Sequence, residues 1–130
     1  MEKEALMEYV SHVDAIKKQN SSHCTVWEYP MQNTEINIGV AEIELRYPTE
    51  GYALNEQCSE MGYVIKGSGR LITEYRSVDL QEGDVVYIPR GERYYWEGNL
   101  TVVLPCTPAW YPEQHKTDLE IKTSVYGPKI

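Results

Sequence analysis

Phenylalanine is missing altogether, although the chain carries eleven tyrosines and three tryptophans. A tyrosine buried where phenylalanine would serve brings a hydroxyl that needs a partner. Either many of these rings reach solvent, or several converge on a polar cavity. Cysteine is scarce: Cys24, Cys58 and Cys106 are odd in number, widely spaced and without a CxxC pair, so no full disulfide framework can be built from them. Basic residues are few as well, twelve against twenty acidic ones, for a net charge of −8. Apart from Lys17–Lys18 they are scattered, which leaves no stripe to neutralise a phosphate backbone and argues against DNA, RNA or an anionic membrane as partner. No apolar run approaches a membrane span, and Met1-Glu-Lys-Glu-Ala-Leu6 is too charged for a signal peptide. The cytoplasm is the expected compartment.

What remains is a chain of 130 residues with 42% apolar and 25% charged side chains, the composition of one globular domain. Leu6, Tyr9, Val10, Val13 and Ile16 follow a three–four spacing, which predicts an amphipathic helix within an N-terminal segment 1–22. From Cys24 onward the apolar period is two. Cys24–Tyr29 reads as a strand. Ile36, Ile38 and Val40 alternate, then Ile43, Leu45 and Tyr47 alternate on the other parity, which predicts a bulge or a bend near Ala41–Glu42. Met61–Lys66 and Arg70–Tyr75 flank Gly67-Ser68-Gly69 and read as a hairpin. Asp84–Ile88, Arg93–Trp96 and Leu100–Leu104 add further short strands between Gly and Pro turns. The pattern is all-β, an antiparallel barrel or sandwich over 23–115, followed by a polar tail at 116–130.

Two stretches carry a family resemblance. Glu60-Met-Gly-Tyr-Val-Ile-Lys-Gly67 resembles the second half of the first cupin motif, and Gly83-Asp-Val-Val-Tyr-Ile-Pro89-Arg-Gly91-Glu-Arg-Tyr94 resembles the second. The likeness spans roughly residues 36–107. It implies a small single-domain cupin: an antiparallel jelly-roll barrel, here with a short N-terminal helix, and a homodimer. Metal-binding cupins place two His and a Glu in the first motif and one His in the second. In this chain the second-motif His position is Tyr94, and the two upstream positions fall on Leu54 and Glu56, or on Ala53 and Asn55. Of the four ligands only Glu60 is kept, so the resemblance implies a degenerate metal site. No metal and no other cofactor is expected.

Strand alternation gives the candidate site. If Tyr94 points inward, so does Trp96, and Glu60 faces the same cavity. Glu60 and Tyr94 are the candidate base and acid; Arg46, Asn55, Trp96 and His115 are candidate ligand-binding residues. Each has a plainer reading. Glu60 can be a satisfied polar relic, Trp96 core filling, Arg46 a surface partner of neighbouring Glu residues, and His115 a solvated side chain of the tail. An indole face, a phenol, an amide and a carboxylate suit a small polar organic ligand. Metal-free cupins run dehydrations, epimerisations and isomerisations, so the resemblance implies a lyase or isomerase acting on a sugar- or nucleoside-like compound. A non-catalytic binding barrel and a metalloenzyme with an unusual ligand set are the alternatives.

Overall fold

The computed structural model describes residues 6–118. Ten antiparallel strands follow in order: β1 (Ile16–Ser21), β2 (Cys24–Glu28), β3 (Asn37–Ile43), β4 (Arg46–Tyr47), β5 (Ala53–Asn55), β6 (Ser59–Thr73), β7 (Ser77–Leu80), β8 (Val85–Ile88), β9 (Tyr94–Thr107) and β10 (His115–Thr117). The sheet runs β1-β2-β3-β9-β5-β10, with β4 also on β9 and with β6 pairing β7, β8 and β9. Two 3₁₀ turns, His12–Asp14 and Pro112–Gln114, are the helical elements among the described residues, apart from the boundary residue Asp118.

Period-two patterning decides what each strand buries. In β9 the even positions Tyr94, Trp96, Leu100, Val102 and Cys106 are buried. In β6 Glu60, Gly62 and Val64 face inward while Met61, Tyr63 and Ile65 stay about half exposed. A register shift between Val64 and Lys66 then reverses the parity, so that Leu71 is the inward residue further along. Val64, Leu71, Leu80, Ile88, Leu100 and Val102 fill one half of the barrel as a dry core. The other half is left open as a cavity.

Three expectations are corrected. The N-terminal helix is only a 3₁₀ turn whose cap, Ser11, accepts a hydrogen bond from the Val13 amide. Leu6, Tyr9 and Val13 are largely exposed, and Ile16–Ser21 is instead a strand paired with β2. The three–four spacing had no core to face, and strand pairing won. The part of the helix expectation that falls on residues 1–5 lies outside the described residues, as does the tail from 119 on.

Gly67-Ser68-Gly69 is strand interior, not a hairpin turn. Gly69 lies opposite Gly98 in register, and a Cβ on Gly98 would come within 2.6 Å of the Gly69 Cα. These glycines let two long strands cross closely, and the turn falls between Thr73 and Ser77. In β3, Ala41 and Ile43 are the inward residues, while Ile38 and, just ahead of the strand, Ile36 are exposed. No register shift occurs there. The kink comes later, at Leu45, which adopts a left-handed φ of 67°.

Candidate functional site

The cavity has a volume of about 640 Å³, within the usual range of small-molecule sites. Its mouth is ringed by β1–β3 and the loop that joins β2 to β3, with a Lys18–Glu28 ion pair of 3.2 Å on the rim. After β9 the chain turns at Pro108 and straps across the mouth. Asn37 holds this strap at both backbone atoms of Trp110: its Oδ1 accepts from the Trp110 N–H at 3.0 Å and its Nδ2 donates to the carbonyl at 3.3 Å. The strap ends in β10, which pairs with β5 and sets His115 opposite Asn55. At the end of β10 the Asp118 carboxylate accepts from the Tyr52 amide and from Arg93 Nη2, at 2.9 and 2.6 Å.

The inner end of the cavity is polar. Glu60, Tyr94, Trp96, Tyr47 and His115 all line it. Tyr47 is there because β4 pairs Tyr47 with Trp96. Behind them Asn55, only 2% exposed, joins the two sides. Its Nδ2 donates to Glu60 Oε1 at 3.3 Å, and its Oδ1 lies 2.9 Å from His115 Nδ1. His115 Nε2 is 2.8 Å from the Tyr47 hydroxyl, and the Trp110 ring packs against the imidazole at 5.7 Å. Gln114, also 2% exposed, donates to Asn55 Oδ1 at 2.9 Å.

Burial has consequences for titration. Desolvation pushes the Glu60 carboxyl up to about 7, opposed by the Asn55 amide. Burial, then the charge of Glu60, holds the Tyr94 phenol well above its usual range. Tyr94 therefore stays protonated at neutral pH. Burial also raises Cys24, to about 12, and Cys106, so neither is a thiolate nucleophile.

The structure thus brings Glu60, Tyr94, Trp96 and His115 around one cavity and sets Asn55 behind them as a bridge. Arg46 lies elsewhere: its guanidinium sits 3.8 Å over the Tyr95 ring and donates to the Gly51 carbonyl at 2.9 Å, outside the lining. Tyr47 and Gln114 were not singled out from the sequence. Their roles depend on pairings between segments far apart in the chain.

The residues at the ligand positions do not make a metal centre. A neutral amide and a phenol that keeps its proton stand beside Glu60, and both ring nitrogens of His115 already meet protein partners. Among the described residues no three His, Cys, Asp or Glu side chains are grouped to hold an ion.

Residues 42–106 match the family model of the cupin domain. The chain belongs to the cupin family. Among solved structures, this cupin superposes on Streptomyces Pac13 with uridine with a TM-score of 0.76 at 16% identity, covering 87% of this chain and 91% of that one. Pac13 is described as a unique nucleoside dehydratase. KdgF from Halomonas sp. aligns with a TM-score of 0.62 at 13% identity, over 79% of this chain and 94% of that one. An RmlC-like cupin from Shewanella frigidimarina gives 0.65 at 15%, over 79% and 93%. At these identities the likeness speaks for the fold. No curated protein matches by sequence.

Proposed function

We propose that this cupin is a metal-independent lyase or isomerase, a dehydratase or epimerase, acting on a sugar- or nucleoside-like compound held at the inner end of the cavity. The observation that carries this reading is a carboxyl titrating near 7 beside a buried phenol, at the closed end of a cavity with aromatic walls. A base that takes a proton from a C–H bond beside a carbonyl at neutral pH needs a value like that of Glu60, and a phenol that keeps its proton can donate a hydrogen bond where charge develops. Glu60 is the base: its carboxylate takes the proton. Tyr94 donates a hydrogen bond, or its proton, to the oxygen where charge develops. Trp96 and Trp110 offer faces for a ring, and His115 lines the polar end with Asn55 bracing it from behind. Uridine bound to Pac13 supports a hydroxyl-bearing ring as occupant. The donor set around Glu60 supports chemistry without a metal.

The three free, buried cysteines suit the cytoplasm. Met61, Tyr63, Ile65, Val85 and Tyr87 form an uncharged strip on the outer face of β6 and β8, with Met61 opposite Tyr87 and Tyr63 opposite Val85. We propose that a second copy covers it, since a two-fold axis brings the same strip against itself.

The test is calorimetric titration of chelator-treated protein with uridine and with a hexose, followed by proton NMR of the mixtures for turnover. Binding of either that weakens at least about tenfold in Trp96→Ala is expected. Heat absent for both probes at millimolar concentration overturns the reading. Binding without conversion of any carbonyl derivative of the bound probe moves the protein to the non-catalytic class.

A further inference from the structure

The amide side chains behind the cavity have only one consistent orientation. Gln114 Oε1 is 3.2 Å from two backbone N–H groups, those of Gln57 and Cys58. A backbone N–H can only donate, so that end of Gln114 is the oxygen and the other end is the NH₂ group. Gln114 Nε2 therefore donates to Asn55, whose facing atom must be its oxygen. Asn55 then turns its own NH₂ toward Glu60 Oε1 and its oxygen toward His115 Nδ1. An oxygen there requires a proton on Nδ1. In the neutral ring that leaves Nε2 bare, and it accepts from the Tyr47 hydroxyl. Two backbone amides thus fix the direction of the bonds that link Gln114, Asn55, Glu60 and Nδ1 of His115, and in the neutral ring the direction of the fourth, from Tyr47, follows.

We propose that Gln114 is a positioning residue that sets this direction, and thereby makes Glu60 and Nε2 of His115 the two proton-accepting ends of one buried network. The inference deepens the reading given above and rests on it for the catalytic consequence, though not for the tautomer itself. Glu60 meets a donor from Asn55, as a base should, and the opposite wall gains a second acceptor. A proton reaches Nε2 through Tyr47: the hydroxyl releases its hydrogen to the ring and takes one from a hydroxyl or activated C–H of the bound molecule. One O–H bond is broken and one formed at Tyr47, one N–H bond forms at His115, and the donor molecule is left with the electron pair. In a dehydration the same proton returns by Tyr47 to the departing hydroxyl, which leaves as water.

The alternative arrangement is specific. If Asn55 were flipped, its NH₂ would face Nδ1, the ring proton would move to Nε2, and Glu60 would have to be protonated to donate to the Asn55 oxygen. In the native chain the Gln114 NH₂ group blocks that flip, because two donors would meet. Gln114→Glu keeps the shape and the acceptor for the backbone amides but presents oxygen to Asn55, and so favours the flip.

The experiment is ¹⁵N NMR of the histidine rings in the full chain at about pH 8, without any ligand, with His115 assigned by its loss in His115→Gln. The expected signature is a protonated Nδ1 and a bare Nε2; an Nε2–H ring or an imidazolium overturns the proposal. In Gln114→Glu the signature is expected to invert to Nε2–H. Gln114→Leu, which removes the donor without adding charge, is expected to show both tautomers. A pure Nδ1–H ring in either folded variant overturns the role of Gln114, and the native spectrum decides by itself if neither folds. Since no substrate is added, a failed tautomer and a failed enzymatic reading are separate results.

Discussion

Glu60 is where the proposed activity and stability oppose each other. Its carboxyl titrates near 7 when folded against a usual 4.5, because burial disfavours the charge. A raised folded value means that the folded state holds the proton more tightly. The stability this gives is fully present below about 4.5 and is lost as pH rises through 7, by roughly 3 kcal/mol in all. Glu60→Gln, which keeps shape without charge, is expected to unfold at higher urea than the native chain at pH near 8. The gain should fade toward pH near 5, while any turnover is lost. Equal midpoints at both pH values would contradict a buried, desolvated Glu60. Position 60 and position 94 were legible from the chain, since Gly and Pro at fixed offsets mark the turns that aim them. Tyr47 and Gln114 were not, because hydrogen bonds linking residues 59 or 68 apart leave no local pattern.

At the scale of elements, the two long strands β6 and β9 carry both the core and the site. Gly62 sits under Trp96: a Cβ there would lie 3.0 Å from the far edge of the indole and 3.1 Å from Val102. Gly62→Ala is expected to push the Trp96 ring into the cavity, at a destabilisation of about 1–3 kcal/mol, read from urea unfolding. Uridine affinity should fall with it; unchanged stability and unchanged Trp96 fluorescence would show that the ring has room to move. Although Arg93–Trp96 and Leu100–Leu104 read as two short strands where β9 is one, the shared face of Tyr94 and Trp96 could be read directly. The fate of Gly67 and Gly69 could not. A glycine serving a turn and a glycine serving a close strand crossing look alike until the partner strand, with Gly98, is placed. The N-terminal segment failed for a related reason: spacing reports a face, and only tertiary partners say whether anything meets it.

For the whole molecule, two surfaces of one sheet divide the work. The inner face supplies a dry half and a cavity, while the outer face of β6 and β8 carries five large apolar side chains, each about half exposed. Val103, opposite Tyr63 on β9, continues the strip. A stable interface buries roughly 800 Å² per partner, so the residues around the strip must take part in such a pairing as well. Sedimentation of the native chain is expected to give a dimer, and Tyr63→Lys with Tyr87→Lys a monomer with an intact cavity. A native chain that sediments as a monomer at micromolar concentration would contradict the proposed pairing. No helix among the described residues is long and apolar enough to cross a membrane. The missing phenylalanine finds part of its explanation here. Tyr47 and Tyr94 bring hydroxyls to the polar end of the cavity, and Tyr63 and Tyr87 put half-exposed rings on the outer face.

The central claim, that a small hydroxyl-bearing ring occupies the inner end of the cavity, is tested most directly by the three indole N–H signals of ¹⁵N-labelled protein. Trp96 and Trp110 line the cavity, whereas Trp27 lies outside the lining, beneath Lys17, and serves as an internal control. On titration with uridine or a hexose, the account predicts that Trp96 and Trp110 shift and saturate together while Trp27 stays in place. Neither cavity indole moving at millimolar ligand, or Trp27 moving with them, would contradict it.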